Sequence, residues 1–177
     1  MEVMISVFAG IYDENGKLLM RRRKKEDPNT PCPYEGDWEL PGGTIEEKNI
    51  WRAKDEKIIG KELVREVREE TGLQIKVTSM PTMHPAIYIN QEKGIIDLAF
   101  MIPIGIVKEK PTVGENIYLT PRELKELAER PEGRRLVSGW GKRMCRMALM
   151  ALCYSSNPQY KAEAKRMLLE IQDKLSK

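Results

Sequence analysis

Histidine occurs once in the 177 residues, and phenylalanine only twice. The lone His84 precedes Pro85 in an expected loop or strand start, where an imidazole serves structure or faces solvent more often than it serves chemistry. Cysteine is almost as scarce. Cys32, Cys145 and Cys153 make an odd count with no metal-ligand spacing. Together with the lack of a signal peptide, they point to a reducing cytoplasm. No apolar run approaches the roughly 18 residues of a transmembrane helix, so no membrane span is expected. The excess of positive charge is small, +3. That is too little to imply nucleic-acid binding as a bulk property. Internal repeats and low-complexity tracts are absent too.

What remains is the composition of an ordinary globular chain, 41% hydrophobic and 32% charged. Its length suits one domain with a real core. Met4 to Ala9 reads as a strand. The turn Asp13-Glu14-Asn15-Gly16 carries the Asn-Gly hairpin signal, and Lys17 to Arg22 returns as its partner. Arg21 to Lys25 is a run of five cations, either a lure for phosphate groups or a solvated strand end. Three prolines make 27–33 a loop. Trp38 to Leu40 is a short strand leading into Gly42-Gly43, a pair that permits a tight turn or close backbone approach to a ligand.

Further on, Leu73 to Met80 alternates and is expected as a strand. Ala86 to Ile89 and Ile95 to Val107 flank Asn90–Gly94 as a hairpin. Asp97 interrupts the second run, to contact a substrate or to face solvent. After the 111–114 loop, Thr120, Pro121 and Glu123 predict an N-cap, a first-turn proline and a capping box. Met144, Met147, Ala148, Ala151 and Leu152 recur at helical spacing, as do Ala162, Ala164, Met167, Leu168 and Ile171. These two helices are expected to pack on the core or to form a dimer contact.

The chemistry concentrates in one helix. Glu66, Glu69 and Glu70 stand at i, i+3 and i+4, so three carboxylates share a face, and Glu62 extends it one turn back. Leu63, Val64 and Val67 lie opposite, and Gly72 supplies a helix stop. Like charges this close repel by a few tenths of a kcal/mol per pair. A divalent cation would reverse that sign, and Mg²⁺ favours carboxylate oxygens together with water and substrate phosphate. The face is thus a metal site awaiting a phosphate ligand, or simply a solvated acidic face.

Arg65-Glu66-Val67-x-Glu69-Glu70-x-Gly72-Leu73, downstream of Leu-Pro-Gly-Gly, resembles the Nudix box, and all seven specified positions of its second half match. The resemblance implies an α/β fold, an α/β/α sandwich around a mixed sheet, occupying 1–130 with a helical extension over 131–177. It also implies Mg²⁺-dependent hydrolysis, with Mn²⁺ as an alternative ion, of a diphosphate bond in a nucleotide-type small molecule. Glu66, Glu69 and Glu70 would hold the metal, joined by a main-chain carbonyl of Gly42 or Gly43. Arg65 would orient the carboxylates, and Glu66 or Glu115 would take a proton from water. Glu109 is the alternative to Glu115.

The first half of the box departs from the pattern. Gly43 and Arg65 lie twenty-two positions apart, where the pattern has fourteen, so eight residues are inserted within 44–60. The upstream glutamate of the pattern falls on Lys57 counted from one end and on Asn49 from the other, with Glu46, Glu47 and Glu56 as substitutes. Trp51 in this polar insertion is a lid over a base or a plug at the core edge. The rival functional expectation is a nucleotide-sensing module that does not hydrolyse. The expected environment is cytoplasmic, with a homodimer as one arrangement and neither nucleic acid nor membrane as partner.

Overall fold

The structure, a computed structural model, describes residues 2–24, 35–45, 58–77, 84–90, 94–130, 136–137, 139 and 141–175. Alternating apolar residues build its central strand, β1 (Glu2–Tyr12). Val7, Ala9 and Ile11 turn to one face and Phe8 and Tyr12 to the other, all of them buried. The Asn15-Gly16 turn, with Gly16 at φ 80°, returns the chain into β2 (Leu18–Arg22), antiparallel to β1. Two short strands follow, β3 (Trp38–Glu39) on β2 and β4 (Gly42–Thr44) on β1.

Helix α1 (Ile58–Thr71) lies on β1 and β4. It stops at Gly72, whose φ of 76° an L side chain rarely adopts and whose N–H bonds the Arg68 carbonyl at 2.9 Å. β5 (His84–Asn90) and β6 (Ile95–Ile106) form the expected antiparallel hairpin. β6 also runs parallel to β1, with a register slip between Gly10 and Ile11. β7 (Asn116–Leu119) pairs with β2. The main path of this seven-stranded mixed sheet is β3-β2-β1-β6-β5.

The expected strand over 73–80 does not form in its described part, 73–77. Leu73 and Ile75 do bury on one side, as alternation requires, but they join the cluster beneath α1 without entering a ladder. The alternating pattern reported burial, and burial came from a cluster shared by α1 and the sheet face rather than from strand pairing.

Helix α2 (Pro121–Ala128) begins as its sequence predicts. Thr120 caps it, Glu123 completes the reciprocal box, and Pro121 occupies its first turn. Helix α3 (Arg143–Leu152) and helix α4 (Pro158–Leu175) follow. Met144, Met147, Ala148, Ala151 and Leu152 of α3 share one apolar cluster with Phe8, Tyr12 and Met20 of the sheet and with Ala164, Met167 and Ile171 of α4. The Tyr12 hydroxyl donates to the Ala151 carbonyl, and Ser155 Oγ donates to the Gly16 carbonyl at 2.6 Å. Both C-terminal helices therefore pack on the core. The opposite face carries a second cluster, in which Leu63 and Val67 of α1 meet Val7, Ala9, Ile11 and Ile102. Helices thus cover both faces of the sheet, an α/β layering.

Candidate active site

Two glycines set the floor of the site. β4 lies alongside the middle of β1, with Val7 opposite Gly43 and Phe8 opposite Gly42. Gly42 has φ 144°, and a Cβ there would run into the Val7 carbonyl. At Gly43 a Cβ would sit 2.8 Å from the Glu66 carboxyl carbon. That contact shows how closely the Glu66 head group rests on the turn. Glu70, one helical turn on, accepts a 2.8 Å hydrogen bond from the Gly42 N–H. The spacing of four residues along α1 therefore aims both carboxylates at the Gly-Gly turn.

Arginine gathers the remaining charges. Arg65 reaches Glu66 at 2.5 Å, Glu62 at 2.9 Å and Glu69 at 2.8 Å. Glu69 is the most exposed of the three, with 57% of its side chain open to solvent. Across the turn, one Arg21 guanidinium nitrogen contacts both Glu70 and Glu39, the latter at 2.5 Å, and Arg23 meets the other Glu39 oxygen at 3.0 Å. Burial pushes the Glu70 carboxyl up to about 8, against the opposing pull of Arg21 and the Gly42 N–H. Burial also raises Glu66, and Arg65 offsets only part of the effect.

This is the donor chemistry that suits a hard divalent cation: partly desolvated carboxylate oxygens gathered beside a main-chain turn. Among the described residues no group of three His, Cys, Asp or Glu side chains already converges on one point. Ion pairs with Arg21 and Arg65 hold the carboxylates in their present places.

The other expected site residues are dispersed. Glu115 immediately precedes β7, where its carboxylate pairs with Arg22 at 2.6 Å. Its carbonyl accepts from the Arg22 N–H, so the 115 loop is tied to the end of β2. Glu109 is exposed in the loop after β6. Asp97 neither faces solvent nor approaches α1. It accepts from Ser6 Oγ at 3.0 Å and pairs with Arg143 of α3, on the opposite side of the sheet. His84 begins β5. Glu46, Glu47, Asn49, Trp51, Glu56 and Lys57 fall outside the described residues, as does Lys25.

Within the cationic run, alternation decides the partners. Arg21 and Arg23 share the side of Glu39, and Arg22 goes to Glu115 and the Gly36 carbonyl. Glu39 is 2% exposed and was not singled out by its sequence. Its signal was there: a carboxylate between Trp38 and Leu40, in a strand whose alternate residues are buried, needs a cationic partner on the other face.

A NUDIX domain model matches residues 3–138. A MutT-like protein of Streptomyces ambofaciens is 31% identical over 124 residues, 69% of this chain and 67% of that protein. An ADP-ribose pyrophosphatase of Methanocaldococcus jannaschii is 27% identical over 121 residues, 67% of this chain and 63% of its own length. The chain thus spans about two thirds of these curated relatives. Among solved structures, a MutT NUDIX hydrolase from Burkholderia pseudomallei superposes with a TM-score of 0.55 at 19% identity, covering 86% of this chain and 99% of that one. The MutT protein from Methanosarcina mazei Go1 gives 0.50 at 21% identity, with 96% and 95% covered. At such identities the structural likeness speaks for the fold.

Proposed function

The chain belongs to the Nudix hydrolase superfamily, and from that premise we propose that it hydrolyses a phosphoanhydride bond in a nucleoside triphosphate or a nucleoside diphosphate-linked compound, with Mg²⁺ or Mn²⁺ as cofactor. The observation that carries this reading is the convergence of Glu66 and Glu70 on the Gly42-Gly43 turn.

Glu66, Glu69 and Glu70, with the Gly43 carbonyl, are the residues that would hold the metal. When bound there, such an ion supplies charge neutralisation at the phosphoryl oxygens and lowers the pKa of a coordinated water. The protein's own groups do the rest. Arg65 keeps Glu62, Glu66 and Glu69 oriented on one face of α1. The lack of a side chain at Gly43 lets the Glu66 carboxylate rest against the turn. A carboxylate, Glu66 or Glu115, takes the proton as the water oxygen bonds to phosphorus. The bridging P–O bond breaks, and its electron pair leaves with the departing phosphate. The products are two monophosphates from a diphosphate-linked compound, or a nucleoside monophosphate and pyrophosphate from a triphosphate.

We read residues 1–130 as the hydrolase core and 131–177 as an extension packed on it. Cys145 and Cys153 are free thiols, in keeping with a cytoplasmic setting. Among the described residues no helix is long and apolar enough to cross a membrane.

A second reading, nucleotide binding without hydrolysis, is favoured by the ion pairs that already occupy Glu66, Glu69 and Glu70. One experiment separates the two. The protein is incubated with nucleoside triphosphates, oxidised nucleotides, ADP-ribose and dinucleoside polyphosphates, with and without Mg²⁺ or Mn²⁺, and the products are identified. Metal-dependent release of phosphate-containing products supports hydrolysis. Saturable binding with no product on the whole panel supports the sensor.

A further inference from the structure

The side chain of Arg21 is 13% exposed, and it stands between two carboxylates on different elements, Glu39 of β3 and Glu70 of α1. Glu39 is 3% exposed by its side chain and has Arg23 as a second cation. Glu70 is 12% exposed by its side chain and has only a backbone N–H besides Arg21 among the contacts seen. Arg21 is thus shared between a carboxylate with a second cationic partner and one with a backbone N–H.

The geometry of the bridge is not the fork that guanidinium groups form at their strongest. A single nitrogen, Nη2, serves both carboxylates. Among the described residues, buried Arg21 Nε meets no hydrogen-bond acceptor. Bidentate pairing would have used two nitrogens on one carboxylate, with more energy and a fixed orientation. Each carboxylate meets Arg21 through one shared nitrogen, an arrangement in which one contact can be given up while the other persists.

A divalent ion arriving at Glu70 would find a monovalent charge already there. Two cations sharing one carboxylate in a partly buried place repel each other, and this repulsion is weakly screened. Arg21 must then yield Glu70 and rest on Glu39 alone. We propose that Arg21 is a positioning residue that acts as an internal counter-cation: it holds Glu70 against the Gly42 N–H in the metal-free protein, and it competes with the divalent ion for that carboxylate, so that Glu39 sets the strength of the competition. The inference rests on the proposed metal site.

The consequence is a pair of opposite effects. Removing Arg21 removes the competitor and takes its cationic partner from Glu70 while Glu39 keeps Arg23, so the free protein should bind the ion more tightly. Neutralising Glu39 releases Arg21 to Glu70 alone, so the ion should bind more weakly. Simple loss of structure would weaken binding in both.

The test is titration of nucleotide-free protein with Mn²⁺, read by the loss of the free-ion signal in electron paramagnetic resonance, with melting curves to confirm folding. Arg21→Met should tighten Mn²⁺ by about tenfold or more, within the usual range of coupling between two sites. Glu39→Gln should weaken it, and Arg21→Lys should stay near the wild type because the charge remains. Unchanged or weaker binding in folded Arg21→Met overturns the proposal. So does unchanged or tighter binding in Glu39→Gln, which keeps the test decisive if Arg21→Met does not fold. Glu70→Gln separates this inference from the metal site beneath it. If that change leaves Mn²⁺ binding intact, the site itself is misassigned. If it abolishes binding while both other changes are silent, only the role of Arg21 falls.

Discussion

The two faces of the sheet are built on different terms. The face under α3 and α4 is almost wholly apolar, a cluster of methionine, alanine, leucine and aromatic side chains joined to the sheet at Phe8, Tyr12 and Met20. Polar groups on it are hydrogen-bonded or paired, as Asp97 is with Ser6 and Arg143 and Ser155 is with the Gly16 carbonyl. The face under α1 has a smaller apolar cluster and ends in partly buried carboxylates and arginines. Hydrophobic burial stabilises the first face without directional demands. The second face spends part of its packing on charges whose removal from water is costly and whose pairing only partly repays it. The contrast separates what keeps the chain folded from what it does, and substitutions on the two faces should fail in different ways.

The largest expected effect lies on the α1 face. Glu70→Gln keeps the volume but removes the charge beside the Gly-Gly turn. Turnover on any substrate found in the panel should fall more than tenfold at saturating Mg²⁺, with the melting temperature preserved. Retention of more than a tenth of the wild-type rate would show that the metal site is elsewhere.

A core truncation on the other face should do the reverse. Leu152 is fully buried in the large cluster. Leu152→Ala should cost about 2–5 kcal/mol of stability, measured by denaturant unfolding. The rate per folded molecule should stay within about twofold, since surface and core sites remote from the chemistry add independently. A large loss of kcat without loss of stability would mean that the two faces are coupled.

The choice of proton acceptor is finer. Glu115 is held by Arg22 across the β2–β7 pair, and Glu109 lies in the loop after β6. If Glu115 is the base, Glu115→Gln should lower kcat at least tenfold with little change in KM, the lower part of the range of general-base assistance, roughly 10²–10⁴. Glu109→Gln should be nearly silent. The reverse result moves the role to Glu109, and silence in both leaves Glu66.

The smallest effect concerns a helix start that touches neither face's chemistry. Thr120→Ala removes the α2 cap and should cost about 1 kcal/mol. The hydrogen bond from the Thr120 N–H holds the Glu123 carboxyl below its ordinary range, helped by the Thr120 side chain and Lys17 and opposed by slight burial. A carboxyl lowered in the folded state stabilises above its unfolded value and loses that contribution as pH falls through the folded one. The difference in stability between wild type and Glu123→Gln should therefore shrink on acidification from neutral pH into the acid range. A difference independent of pH would remove Glu123 from the cap.

Local rules carried a good deal of the molecule. The Asn15-Gly16 hairpin, the capping box at Thr120, the stop at Gly72, the β5–β6 hairpin and the helical spacing of Met144 to Leu152 each depend on residues close in sequence, and each formed as its residues require. The carboxylate face of α1 was legible for the same reason: a helix places i, i+3 and i+4 together whatever surrounds it. Partnership across the chain was not legible. Arg21, Arg22 and Arg23 are identical in type, and only the β2–β3 and β2–β7 registers decide that two meet Glu39 and one meets Glu115. Asp97 looked available to a substrate until α3 brought Arg143 to it. Leu73 and Ile75 alternate as a strand would, yet they bury in the cluster between α1 and the sheet without pairing as a strand. Periodicity and caps are properties of a few adjacent residues, so the sequence alone determines them. The charge a carboxylate meets depends on which distant segment folds against it, and only the tertiary structure decides that.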